Sequence, residues 1–268
     1  MPKALPAISA TPPITTPSLV SALVDWIEID PFQAFYRKRK INSHVTGWVN
    51  RLASYFWPNP TISVATTHIH LAPMIMVAKR LRLALVGPWS VTDQAAAFKL
   101  AQEIFCWGNV PQPGATSTMV RKVFESVVAG TRIGSAPMNS GWTKVASFAS
   151  VGLVSEQVIW DSRVAHALIR RLDSLLVAAG CTHVPCLQTI QDIGRVPGRG
   201  GNRTSFKYSL KWPIGYKSWP AQFAGSELVR LIRDELNNKK RSIQIEPPNP
   251  GGAWTVRDVE MVLFMDGY

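Results

Sequence analysis

Apolar residues recur at three- and four-residue spacing along most of the chain, the period of amphipathic helices. The pattern begins at Ser18 with LVSALVDWIEI. Asp30-Pro31 then predicts a second helix carrying Phe32, Phe35 and Tyr36, with aspartate as N-cap and proline at the first helical position. Residues 46–57 and 70–86 continue the pattern. Thr92-Asp93 opens a helix that stops at Gly108, and Thr116 to Ala129 makes another. A small-residue turn, Asn139-Ser140-Gly141, leads into a helix starting at Trp142 or Thr143, with Val145, Phe148 and Ala149 on its apolar face. Asp161 caps a helix running to Ala179, with Gly180 as its stop. Gly225-Ser226 leads into a further helix, and Thr255 caps the last. FKYSLKW (206–212) alternates like a short strand but reads equally as irregular chain. Little else reads as strand, so the expected fold class is all-α: a helical bundle with a basic, loop-rich C-terminal part. Residues 1–17, punctuated by Pro2, Pro6, Pro12, Pro13 and Pro17, are expected as an extended arm, and 18–268 as a single helical domain.

Charge narrows the function classes. Among 268 residues, 29 Lys+Arg face 17 Asp+Glu, a net +12, which favours a polyanionic partner: nucleic acid first, an anionic membrane surface second. The basic residues are unevenly spread. No acidic residue falls between Asp192 and Glu227, whereas the stretch 194–217 carries Arg195, Arg199, Arg203, Lys207, Lys211 and Lys217. The run Arg37 to Lys40 reads as a solvated face or a phosphate contact. The three cysteines, Cys106, Cys181 and Cys186, are too few and too odd in number for a disulfide framework. His183 lies between the latter two, but the spacing is wide for a zinc clip and a fourth ligand is not evident, so no metal is expected. The first residues lack the apolar core of a signal peptide, and no apolar run approaches the roughly 20 residues of a membrane span. The expectation is a monomeric cytoplasmic protein without a membrane segment.

The chemistry concentrates at 136–168. Lys144 falls in the first turn of its helix, where a cation opposes the helix dipole and calls for an anion or another purpose. Free amides at that helix start could hold phosphate. Asp161, 17 positions later, follows Val158, Ile159 and Trp160. One helix and one returning loop fit in that interval and can bring both residues to one mouth. Read alone, Asp161 is an ordinary N-cap.

Together, the order hairpin, Thr143-Lys144-Val145-Ala146, helix, loop and Val158-Ile159-Trp160-Asp161-Ser162-Arg163-Val164 resembles the helix-hairpin-helix (HhH-GPD) DNA glycosylases. The resemblance covers about 30 residues. The family hairpin usually reads apolar-Pro-Gly-apolar-Gly, whereas this chain has Ala136-Pro137-Met138-Asn139-Ser140-Gly141-Trp142. The iron–sulfur cluster of some members needs four cysteines, so no cofactor is expected. The resemblance implies that Asp161 is the catalytic carboxylate and that Lys144 is either a Schiff-base nucleophile, with accompanying abasic-site lyase activity, or a phosphate-binding or structural lysine. It implies double-stranded DNA as partner, held by Ser140, Gly141, Trp142, Thr143, Arg163, Arg195, Arg199, Arg203 and Lys207. An extruded base would be held by Trp107 and Trp160, residues that read equally well as core. The excised base would be an oxidised purine or, by analogy with relatives in phage defence, a hypermodified cytosine such as a glucosylated hydroxymethylcytosine. The main rival is a non-catalytic nucleic-acid-binding helical module. A metal-dependent nuclease would need clustered carboxylates, which the sequence does not display.

Overall fold

Side-chain caps set most of the helix boundaries. Thr15, Ser63, Ser90, Thr116, Asp161, Ser218 and Thr255 each accept a hydrogen bond from a first-turn amide of the helix that follows. The computed structural model describes residues 15–37, 39–184, 190–197, 206–239 and 252–267. In order, the described elements are α1 (Thr16–Ile29), β1 (Phe32–Tyr36), β2 (Arg39–Val45), α2 (Trp48–Ala53), α3 (Val64–Leu83), α4 (Val91–Trp107), α5 (Ser117–Ala129), α6 (Trp142–Ser150), α7 (Ser162–Ala178), α8 (Trp219–Asn238) and α9 (Val256–Asp266). The fold is mostly helical, and no described helix is long and apolar enough to cross a membrane. Residues 1–14 of the expected arm, Cys186, Arg199 and Arg203 lie outside the described residues. Thr15 to Pro17 cap and open α1 rather than extending the arm.

Two expectations are corrected, and one reading left open is decided. Residues 32–36 form a strand, not a helix. Asp30 is already committed: its amide closes α1 on the Trp26 carbonyl, and its carboxylate pairs with Arg171 at 2.6 Å. Phe32 and Ala34, two apart, then enter the core from one face of an antiparallel hairpin with β2, whose Ile41 and Val45 pack beside them. Arg37, Arg39 and Lys40 of the basic run lie at the tip of this hairpin, with Arg37 at a positive φ of 48°, and Lys38 lies outside the described residues. Second, α8 begins at Trp219, two turns before the predicted Gly225, because Ser218 caps it and Pro220 fits its first turn. Gly225 sits inside α8 because the Trp160 indole lies against it: a Cβ there would come within 2.5 Å of the ring. The stretch 206–212, left open between strand and irregular chain, is irregular. The Asp173 carboxylate holds it by accepting the amides of Ser209 (2.7 Å) and Leu210 (2.9 Å) and Nε1 of Trp212 (2.8 Å).

Two apolar clusters make the core. One joins α1, β1, α2, α7, α8 and α9, and so draws on both ends of the described chain. The other joins α3 to α6, with Trp219 reaching in from α8. Every residue of α6 is buried, including Thr143, Lys144, Ser147 and Ser150, so this short helix is internal on all sides. A buried ion cluster ties the first core together. Asp266 of α9 pairs with Arg51 of α2 (2.5 Å), Arg170 of α7 (2.9 Å) and Arg171 of α7. Arg51 and Arg171 are fully buried, and Asp30 offers them a second, partly exposed carboxylate.

Candidate active site

The seam between the two cores opens into a cavity of about 310 Å3. Lys144 of α6 and Asp161 at the head of α7 both line it. Helix α6 therefore presents its lysine from one core, and the loop 151–160 returns the chain so that α7 presents its aspartate from the other. Asp161 Oδ1 accepts the amides of Arg163 (2.9 Å) and Val164 (3.1 Å), as an N-cap does. Its Oδ2 takes no hydrogen bond from the described residues. The aspartate is thus both a cap and a carboxylate with one oxygen left for the cavity.

Lys144 is 6% exposed, and its Nζ donates to the Ser140 carbonyl at 2.9 Å. Burial pushes its pKa below the ordinary lysine value of 10.5 and outweighs the carboxylates of Asp161 and Glu260, which favour the charged form; Arg163 and Arg257 lower it further. The stem of Lys144 lies on the backbone of Gly108, where a Cβ would come within 2.6 Å of Cε. Gly108→Ala is therefore expected to cost about 1–3 kcal/mol by overpacking. Shortening Lys144 to Ala in the same chain should return most of that loss, as a double-mutant cycle in urea would record. Additive losses would mean that the two residues do not share this contact.

The walls of the cavity are largely aromatic. Trp57 and Tyr55 precede α3, Phe264 comes from α9 and Trp107 ends α4. Phe264 stands edge-on to Trp57 at 5.4 Å, and Trp57 Nε1 donates to the Trp107 carbonyl at 2.9 Å. The Arg163 guanidinium lies over Phe264 at 4.4 Å and over Trp57 at 5.1 Å, keeping a cation at the cavity wall. Glu260 of α9 also lines the cavity. It accepts the Ile159 amide at 2.7 Å and pairs with Arg257 at 2.5 Å, and burial raises its pKa.

The structure thus brings together Lys144, Asp161, Ser140, Arg163 and Trp107. It places others elsewhere. Gly141, Trp142 and Thr143, expected at a phosphate, are buried. The Asn139 side chain accepts the amides of Gly141 (2.8 Å) and Trp142 (3.2 Å), and its carbonyl accepts that of Thr143 (2.9 Å), so the start of α6 is capped from within. Trp142 packs edge-on against Phe105 at 5.1 Å. Trp160, expected in the base pocket, is 2% exposed in the core, with Nε1 donating to the Gly194 carbonyl; Trp57 and Phe264 stand at the cavity instead. Arg195 and Lys207 line a separate open groove, which meets the cavity at Ser162 and Pro197.

Sequence reasoning passed over Glu260, Tyr55, Trp57 and Phe264. The one available signal for Glu260 was an acid inside the otherwise apolar run VEMVLFM. The chain matches no family model, no curated protein and no solved structure.

Proposed function

We propose that this protein is a DNA N-glycosylase of the helix-hairpin-helix type. The observation that carries this reading is the meeting of Lys144 and Asp161, from different helices and different cores, in one aromatic-walled cavity. At about 310 Å3 the cavity lies at the small end of ligand pockets, the scale of a single extruded base. The net charge of +12 supplies attraction to the DNA backbone.

In this mechanism the base leaves the stack and enters the cavity between the aromatic walls. As the C1′–N bond lengthens, positive charge grows on the sugar, and the Asp161 carboxylate stabilises it. The neutral Lys144 amine then bonds to C1′ through its lone pair. The electron pair of the broken bond leaves with the base, which takes up a proton, and the amine gives one up. The lone pair left on nitrogen then forms the C=N bond as C1′–O4′ breaks; O4′ keeps that bond's electron pair and becomes a hydroxyl with the second proton released from nitrogen, which completes the imine. The lowered pKa of Lys144 suits this role, because only the neutral amine carries the lone pair.

The test uses genomic DNAs of different modification, phage DNA included, incubated with the protein in EDTA. Abasic sites are counted with an aldehyde-reactive probe, and borohydride is added to trap the imine. A covalent complex is expected with the wild type and none with Lys144→Gln. Trapping should rise with pH through the lysine titration, with its midpoint below 10.5. The DNA that yields abasic sites names the base, an oxidised purine or a hypermodified cytosine among the candidates. No abasic sites on any of these DNAs, with binding intact, would leave a binding module.

A further inference from the structure

Beside the cavity runs the groove that shares Ser162 and Pro197 with it, about 730 Å3 in volume and open to solvent. Its chemistry differs from that of the cavity. Arg195, Lys207 and Lys211 line it, and among the described residues no carboxylate does. Between these cations stand Phe206 and Tyr208. The two rings meet edge-on at 5.1 Å, and the His166 ring stands 6.2 Å from each. The Tyr208 hydroxyl is fixed 2.8 Å from Nδ1 of His166, and the Arg195 guanidinium lies over the Tyr208 ring at 5.6 Å. Phe206 is 36% exposed.

The groove is built rather than incidental. From beneath, the buried Asp173 carboxylate pins 209–212. From the side, Arg195 is fixed through its backbone: its amide donates to the Pro213 carbonyl at 2.8 Å and its carbonyl accepts the Gly215 amide at 2.7 Å. Gly194 and Gly215 make this crossing possible, since a Cβ on Gly194 would come within 2.6 Å of the Gly215 Cα.

The geometry points to single-stranded DNA as the occupant of this groove: an unpaired nucleotide flanking the excised one stacks on the exposed Phe206 ring, with Tyr208 set against its edge, while Arg195, Lys207 and Lys211 hold the phosphates of the strand. A duplex presents its phosphates outward and its base faces to each other, so it would use the cations and leave the rings idle. An unpaired strand uses both, which is how sequence-tolerant single-strand binders work. Its role beside the cavity rests on the glycosylase reading: the strand is locally unpaired around the extruded base, and the flanking nucleotide enters the groove. The strand-binding claim itself stands on the groove alone.

The experiment measures fluorescence anisotropy with undamaged, labelled oligonucleotides, which hold nothing to excise. An oligothymidylate of about ten nucleotides, within the span of known single-strand sites, is compared with a hairpin duplex of similar charge. Single strand is expected to bind at least about tenfold more tightly. Phe206→Ala should weaken it about 5- to 150-fold, as loss of one stacked base does, leave the salt slope unchanged and abolish quenching of a 2-aminopurine placed in the strand. Lys207→Gln should lower the salt slope by about 0.7 and leave the quenching intact. Equal or tighter binding of the duplex overturns the inference, as does unchanged affinity in Phe206→Ala. Failure here leaves abasic-site formation unaffected. Conversely, single-strand binding without abasic sites removes the enzyme and keeps the groove.

Discussion

Asp161→Asn is expected to lower base excision about 10²- to 10³-fold, the usual loss when one preorganised charge-stabilising group is removed, while the protein melts within about 1 °C of the wild type. Asparagine caps helices as well as aspartate does. Its Oδ1 can accept the Arg163 and Val164 amides as Asp161 does. What disappears is the negative charge at the cavity. A second effect has the opposite sign. The Asp161 carboxylate raises the pKa of Lys144, so its removal lets that pKa fall further and increases the neutral fraction of the amine at a given pH. Trapping by borohydride on DNA that already carries an abasic site should therefore persist or increase in Asp161→Asn, although trapping on base-containing DNA is lost. Lys144→Gln should lose both. If excision survives Asp161→Asn, the aspartate is a cap and nothing more.

Asp266→Asn is expected to destabilise the fold by about 3–5 kcal/mol, the scale for breaking a buried ion pair from one side. For a chain of this size that corresponds to a melting temperature lower by roughly 10 °C. The argument is one of stranded charge. Arg51 and Arg171 are fully buried, and Asp266 is the buried carboxylate facing both. Asparagine would turn an amide donor towards guanidinium donors and leave the partly exposed Asp30 to balance the cluster. The same cluster sets an acid limit on the wild type. Pairing with the arginines overcomes burial and holds the Asp266 carboxyl far below its ordinary pKa of 3.8. Its contribution to stability is therefore complete above the unfolded-state pKa and is lost as pH falls from about 5 downward. Urea midpoints between pH 7 and pH 3 should slope steeply in the wild type and less in Asp266→Asn. A variant within about 1 kcal/mol of the wild type at pH 7 would show that Asp30 alone satisfies the cluster.

Local signals were readable in the sequence where local physics decides. Thr116, Asp161 and Thr255 cap the helices predicted for them because a cap needs only its own first turn. Asp30-Pro31 carried the same signal and gave a strand. Its carboxylate is drawn to arginines 21 and 141 positions away, and no window of sequence contains that competition. The pairing of Lys144 with Asp161 was legible through its spacing. Of the aromatic walls only Trp107 was, because Tyr55, Trp57 and Phe264 come from two other parts of the chain and each reads alone as core. The amides at the start of α6 read as an anion site because the sequence does not reveal that Asn139 folds back over them.

The first core is closed by α9, the last described helix, although it begins with α1, the first. Between them, α3 to α6 gather their own apolar cluster from neighbouring stretches of chain. On the ribosome, then, the middle of the molecule can condense while α1, β1 and α2 wait with unsatisfied apolar faces for a partner not yet made. Both Asp266, which neutralises the buried arginines, and Glu260, which faces Lys144 across the cavity, arrive with that final helix. A nascent chain halted before it would hold Lys144 without one of its two carboxylates and the arginine pair with only the partly exposed Asp30 to balance it. The cavity is thus left without part of its wall until α9 has been made.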